Sequence, residues 1–159
     1  MPPPPVLYAE DDENDVFLLE RAFARAQVEN PLLAVSDGAA ALRYLAGTDE
    51  FVDRQRYPAP CLALLDLNLP RKSGLEVLQW VRTTPRLRTL PVILLTSSSQ
   101  NRDIKAAYTL GANGYLVKPA SAAQLLELVT ALRDTCLIPD APIRGWLELK
   151  GNHRPPAKG

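Results

Sequence analysis

The sequence predicts an α/β domain, a doubly wound five-stranded parallel sheet with helices on both faces. Three observations predict it. Five short apolar runs alternate with five segments of helical period along the 159 residues, the pattern of consecutive β–α units. The runs are apolar throughout, as strands covered on both faces are. Several of them stop at a carboxylate, a hydroxyl or an ammonium, and in such sheets ligands bind beyond the carboxyl ends of the strands, where strand order reverses.

Pro2 to Pro5 reads as a stiff polyproline arm outside the core. Val6–Ala9 is the first strand and runs into Glu10, Asp11, Asp12, Glu13, Asn14 and Asp15. Carboxylates suit the first turn of a helix, at the positive end of its dipole; Asp12, Glu13 and Asp15 are read as such helix-start charges. The helix that follows carries Val16, Leu19, Phe23 and Ala26 at helical spacing and stops before Asn30-Pro31. Leu32–Val35 is the second strand, and a second helix spans Ala39 to Ala46, ended by Gly47. Thr48 to Pro60 is a long polar loop with a short helical turn at Phe51–Arg54.

Cys61–Asp66 is the third strand and the centre of the reading. It is a buried apolar run that ends on an acid, and Pro70 beyond it has no N–H to continue a ladder. An unpaired charge at the edge of a core is costly, so Asp66 requires a partner. Ser73-Gly74 opens a third helix to Arg82 with Leu75, Leu78 and Val81 inward and Trp80 packing, and Pro85 ends it. Pro91–Thr96 is the fourth strand, Arg102–Leu110 the fourth helix and Tyr115–Val117 the fifth strand, which meets Lys118-Pro119. Ser121 caps a last helix that reaches Cys136, with Leu125, Leu128, Val129 and Leu132 on one face.

The bulk properties exclude several classes. Lys plus Arg and Asp plus Glu number 18 each, so the clustered basic excess of a nucleic-acid binder is missing. The two cysteines, Cys61 and Cys136, make neither a disulfide framework nor a metal site. The start has neither the basic nor the apolar segment of a signal peptide, and no run is long enough for a membrane span. A cytoplasmic, membrane-free protein is expected. His153, the single histidine, lies in the tail and leaves no Ser-His-Asp triad for the core.

The strand ends bring Glu10, Asp11, Asp66, Thr96 and Lys118 to one edge of the sheet. Like charges 4 Å apart repel by about 4 kcal/mol at an effective dielectric of 20. Hard oxygen ligands with room for water suit Mg²⁺, which makes Glu10, Asp11 and Asp66 a candidate cation site, with the backbone carbonyl of Asn68 as a further oxygen. Asp66 is central to that set, and a carboxylate is a nucleophile toward a phosphoryl group. The metal, Lys118 and the Thr96 hydroxyl would then stabilise the phosphoryl oxygens. Each residue alone has an ordinary reading as a cap, a strand-end hydroxyl or a surface charge. Their joint occurrence does not.

Val6-Leu7-Tyr8-Ala9-Glu10-Asp11-Asp12, Leu64-Leu65-Asp66-Leu67-Asn68-Leu69-Pro70, Leu94-Leu95-Thr96-Ser97 and Gly114-Tyr115-Leu116-Val117-Lys118-Pro119 resemble, in order, the motifs of the receiver domain of two-component response regulators. The resemblance spans Val6 to Cys136. It implies the flavodoxin-like strand order 2-1-3-4-5, a phosphoryl group taken from a histidine kinase onto Asp66, and a Mg²⁺ requirement. The chain is then a phosphoacceptor switch with intrinsic phosphotransfer and autodephosphorylation, not an enzyme with a substrate of its own. It also implies that Thr96 and Tyr115 shift together on phosphorylation, and it makes Pro119 a cis-proline candidate, since the matching Lys-Pro bond is often cis in the family. The family departs from this chain at Glu10, where many members carry Asp, and at Ala120, where Phe is common. The long Thr48–Pro60 loop, the wording of residues 66–70 and 85–91, and the tail resemble the stand-alone regulators that partner bacterial and cyanobacterial phytochromes. A bacteriophytochrome is therefore the expected kinase partner.

Two other functions remain open at this point. A haloacid-dehalogenase-type phosphatase also uses an aspartyl phosphate, but wants a second Asp two residues on, where Asn68 stands, and places its metal acids late in the chain. An unphosphorylated binding module would keep the fold without the full set of polar residues. Residues 1–5 are read as the proline-rich arm, 6–136 as the receiver and 137–159 as a partly disordered extension. That extension is too short for an independent DNA-binding module, so output is expected through protein–protein contact. Its apolar set of Ile138, Ile143, Trp146, Leu147 and Leu149 suggests a dimerisation arm, because exposed apolar patches mark interfaces; the alternative is that the tail folds back on its own last helix. The expected homodimer uses the fourth and fifth helices, the fifth strand and the tail.

Overall fold

The computed structural model describes residues 2–137 and His153. The apolar tail set from Ile138 to Leu149 lies outside the described residues. Strands β1 (Val6–Ala9), β2 (Leu32–Val35), β3 (Leu62–Leu65), β4 (Val92–Thr96) and β5 (Gly114–Val117) alternate with helices α1 (Glu13–Arg25), α2 (Gly38–Ala46), α3 (Gly74–Thr83), α4 (Asn101–Thr109) and α5 (Ala122–Thr135). All strand pairs are parallel and the order is β2-β1-β3-β4-β5. The expected fold class and order are therefore those of the structure.

The continuous apolar runs are explained by two cores. Leu7, Ala9, Ala63, Leu65, Leu94 and Tyr115 face α2, α3 and α4, with Tyr44, Leu78 and Ile104 among the partners. Val6, Tyr8, Leu62, Leu64, Ile93 and Leu116 face α1 and α5 and meet Leu19, Phe23, Val129 and Leu132. Successive strand residues serve opposite faces, so every position of β1, β3 and β4 is buried, while β2, at the sheet edge, is buried only at Val35. Trp80 packs at the margin of the first core.

The helices start where their caps dictate. Asp12 accepts from the amides of Asn14 and Asp15, Ser73 forms a capping box with Glu76, and Ser121 accepts from Gln124. The helical turn in the long loop is at Asp49–Phe51, earlier than expected. This loop is held by an aromatic cluster: Tyr44, Phe51 and Tyr57 meet edge to face with centroids 5.0–6.3 Å apart. The Tyr44 hydroxyl donates to the Pro58 carbonyl at 2.5 Å. The proline arm is tied at its end, where the carbonyls of Pro4 and Pro5 accept from Asn30 and the Cys61 amide.

The expected cis bond at Pro119 is not found. Among the described residues every peptide bond is trans, Lys118-Pro119 included. Trans is the lower-energy form even before proline, by roughly 0.5–1 kcal/mol. From that trans geometry the Lys118 side chain already reaches the acids described below.

Candidate functional site

Strand register assembles the site. Ala9 pairs with Leu65 across the β1–β3 boundary, where strand order reverses. Glu10 and Asp66 are each the next residue, so they leave the sheet side by side, and the Asp66 amide donates to the Ala9 carbonyl at 3.0 Å. On the other side Thr96 pairs with Val117, and the Lys118 amide donates to the Thr96 carbonyl at 2.8 Å. The loop after Asp66 is pinned by close backbone approach. A side-chain carbon at Gly74 would lie 2.2 Å from the Asp66 carbonyl oxygen, so only glycine fits at the start of α3.

The polar groups converge as their strand positions require. Glu10 is 2% exposed and Asp66 6%, so neither charge is dispersed into water and each requires a partner. The Lys118 ammonium supplies one. It donates to Glu10, to Asp66 Oδ2 at 2.9 Å and to Asp15 Oδ2 at 2.8 Å. The Asn68 amide donates to Asp66 Oδ1 at 3.2 Å, and the Asp12 amide and the Tyr8 hydroxyl donate to the two Glu10 oxygens.

These contacts divide the two buried acids electrostatically. Burial pushes the Glu10 carboxyl up to about 7, and the Asp66 charge adds to this against the Lys118 and Asp12 hydrogen bonds. Burial also works against the Asp66 charge, but the hydrogen bond and charge of Lys118 outweigh it and hold that carboxyl below its ordinary value. Lys118 is raised in turn: burial lowers it, and the hydrogen bonds of Asp15, Glu10 and Asp66 more than compensate. The result is an ionised Asp66 beside a cation, and a Glu10 whose charged form burial disfavours.

Glu10, Asp11 and Asp66 place one carboxylate oxygen each within 4.8 Å of one another. Asp11 is exposed while the other two are buried. Three hard oxygens with one side open to water fit Mg²⁺. Thr96 is completely buried at the end of β4, and its hydroxyl oxygen accepts from the Ser98 amide at 3.5 Å. Tyr115 is buried on β5, and its hydroxyl donates to the Ser98 carbonyl at 2.9 Å. The segment after β4 thus touches both expected switch residues. His153 lies against the same strand: its amide donates to the Tyr115 carbonyl at 3.1 Å, its carbonyl accepts from the Tyr108 hydroxyl, and its ring stands edge-on to Tyr115.

Two contributors escaped the sequence reading. Asp15, taken as a helix-start charge, binds Lys118. Its signal was its spacing, one helical turn past Asp11. Tyr8 looked like an ordinary strand residue; period two from Glu10 was the sign that it shares that side chain's face.

A family model for the response regulator receiver domain matches residues 6–130. The chain belongs to the response regulator receiver family. Among curated receivers it is 35% identical over 131 residues to the response regulator Rcp1 of Synechocystis, covering 82% of this chain and 87% of that protein. The solved structure of the response regulator RPA3017 in red light signalling of R. palustris superposes with a TM-score of 0.80 at 38% identity, covering 92% of this chain and 97% of that one. The phosphorylated cyanobacterial phytochrome response regulator RcpA superposes with a TM-score of 0.78 at 34% identity, covering 85% and 94%. The receiver is thus similar over nearly its full length to stand-alone phytochrome response regulators, and no helix among the described residues is long and apolar enough to cross a membrane.

Proposed function

We propose that this receiver takes a phosphoryl group from a phytochrome-type histidine kinase onto Asp66 in a Mg²⁺-dependent reaction and signals by protein–protein contact. The observation that carries the reading is the convergence of Asp66, Glu10, Asp11 and Lys118 at the point where strand order reverses. Asp66 is ionised and its Oδ1 and Oδ2 are oriented by the Asn68 amide and Lys118. One of these oxygens forms the O–P bond as the P–N bond of the donor phosphohistidine breaks, and the imidazole leaves with the electron pair and takes up a proton. Lys118 turns toward the new phosphoryl oxygens, and the Thr96 hydroxyl donates to one of them. Glu10, Asp11, Asp66 and the Asn68 carbonyl would hold Mg²⁺, which would neutralise the developing charge. Among the solved relatives, RcpA is a phosphorylated form and Rcp1 a Mn²⁺-bound form, which supports the reading. Membership in the receiver family leaves no place for the haloacid-dehalogenase alternative.

The switch follows from the polar path through Ser98. A phosphoryl group that draws the Thr96 hydroxyl changes what the Ser98 amide meets, and Tyr115 holds the Ser98 carbonyl. Thr96 and Tyr115 therefore move together, and the α4–β5–α5 face reports it. We assign a homodimer to that face, with the extension 137–159 as its arm. β5 is an edge strand of the sheet, and an apolar groove beside it is lined by Val117, Pro119, Leu126 and Ala131. Truncation after Cys136 is expected to give a monomer by light scattering, and an unchanged dimer overturns the role of the arm. For the donor, a ³²P-labelled autophosphorylated phytochrome kinase is expected to pass its label to the wild type and not to Asp66→Asn. Label that never leaves the kinase, with a receiver competent toward small donors, would refute the phytochrome assignment.

A further inference from the structure

The Lys118 ammonium has three N–H bonds and three carboxylate partners: Glu10, Asp15 and Asp66. Two of these partners do not stay constant through a phosphorylation cycle. Glu10 and Asp66 belong to the cluster that fits a cation, and Asp66 itself becomes an acyl phosphate; Asp15 stands outside that cluster. Asp15 is therefore the one acceptor that keeps the same chemistry with and without a phosphoryl group. It is also well placed to hold still. Its own amide is bound by the Asp12 cap at 3.2 Å in the first turn of α1, and its side chain is 30% exposed.

What lies beneath the lysine gives the anchor a purpose. A cavity of about 40 Å³ is lined by Tyr8, Asp15, Leu18, Lys118, Pro119 and Leu125. That is room for a water, and for the lysine stem to sag once nothing holds its end. We infer that Asp15 is the positioning residue for Lys118: it keeps the ammonium aimed at Asp66 while the other two carboxylates are claimed elsewhere, and so sets the rate at which the phosphoryl group is gained. This inference rests on the proposed function, in which Lys118 binds the phosphoryl oxygens.

The test is the rate of mass gain with acetyl phosphate at saturating Mg²⁺, compared for the wild type, Asp15→Asn, Asp15→Glu, Lys118→Met and the Asp15→Asn/Lys118→Met pair. A partly exposed ion pair of this kind is worth about fivefold in rate. Asp15→Asn is expected to lower the maximal rate by about that factor without changing the half-saturating donor concentration, and Asp15→Glu to restore part of it. In the Lys118→Met background the Asn substitution should add nothing, because there is no ammonium left to aim. Wild-type rates in Asp15→Asn, or an equal loss with and without Lys118, would overturn the role. If the double variant is too slow to follow, the Asn-to-Glu comparison decides, and no recovery with Glu counts against it. A wild type that gains no phosphoryl group would overturn the underlying reading as well, which separates the two failures.

Discussion

Glu10→Gln is expected to make the metal-free protein more stable while weakening its hold on Mg²⁺. The folded carboxyl lies at about 7 against an ordinary 4.5. An acid with its folded value raised binds protons more readily when folded, so stability falls as pH rises from 4.5 through 7. At pH 8 the full cost is about 3 kcal/mol. Glutamine keeps the shape and an oxygen for Lys118 without the charge, and some of the gain is returned because a charge-assisted bond becomes an ordinary one. A net gain of about 2 kcal/mol would raise the melting midpoint by about 6 °C in a domain of this size. The assay is thermal unfolding in chelator at pH 8 and at pH 4.5, followed by the same melts in excess Mg²⁺. The difference should shrink to roughly 0.4 kcal/mol at pH 4.5, where the wild-type acid is neutral in the folded state and half ionised in the unfolded one. In Mg²⁺ the order should narrow or reverse, because the wild type gains more from the ion. A variant less stable than the wild type at pH 8 in chelator would refute the reasoning: Glu10 would then be a net stabiliser through Lys118 rather than a buried charge waiting for a cation.

Three further outcomes follow from the same geometry. Because Glu10 must ionise to serve the metal, apparent Mg²⁺ affinity should fall about tenfold between pH 8 and pH 6, read by titration calorimetry; a flat profile would show that Glu10 is not a ligand. Gly74→Ala places a methyl carbon 2.2 Å from the Asp66 carbonyl oxygen; it should cost about 1–3 kcal/mol by denaturant unfolding and slow phosphorylation, because the loop carrying Asp66 must shift. Arg82 ties the carbonyls of Arg88, Leu90 and Gly111 to the Asn113 side chain, so Arg82→Ala should lose about 2–4 kcal/mol while leaving the metal affinity of the distant acidic edge unchanged.

The sequence was most legible where chemistry and topology coincide. Apolar runs that end on Glu10, Asp66, Thr96 and Lys118 specify a parallel sheet and a polar edge together, because strand ends in register must bring those residues to one side. It was least legible where a side chain's meaning depends on a neighbour across the fold. Asp15 is an ordinary first-turn acid until Lys118, more than a hundred residues away in sequence, is seen to reach it. The long loop read as a polar connection with one short helical turn, since nothing local marks Tyr44, Phe51 and Tyr57 as one aromatic cluster. The expected cis bond at Pro119 came from resemblance alone, and local sequence carries no preference strong enough to set it against the trans default. His153 seemed remote from the core by position, yet its backbone pairs with β5, a contact made by main-chain atoms that no residue type announces.

The most direct test of the central claim is intact mass after incubation with acetyl phosphate and Mg²⁺, with Asp66→Asn and a chelator arm alongside. One phosphoryl group is expected on the wild type, none on Asp66→Asn and none in chelator. A wild type that gains nothing, or a gain that survives Asp66→Asn, would contradict it.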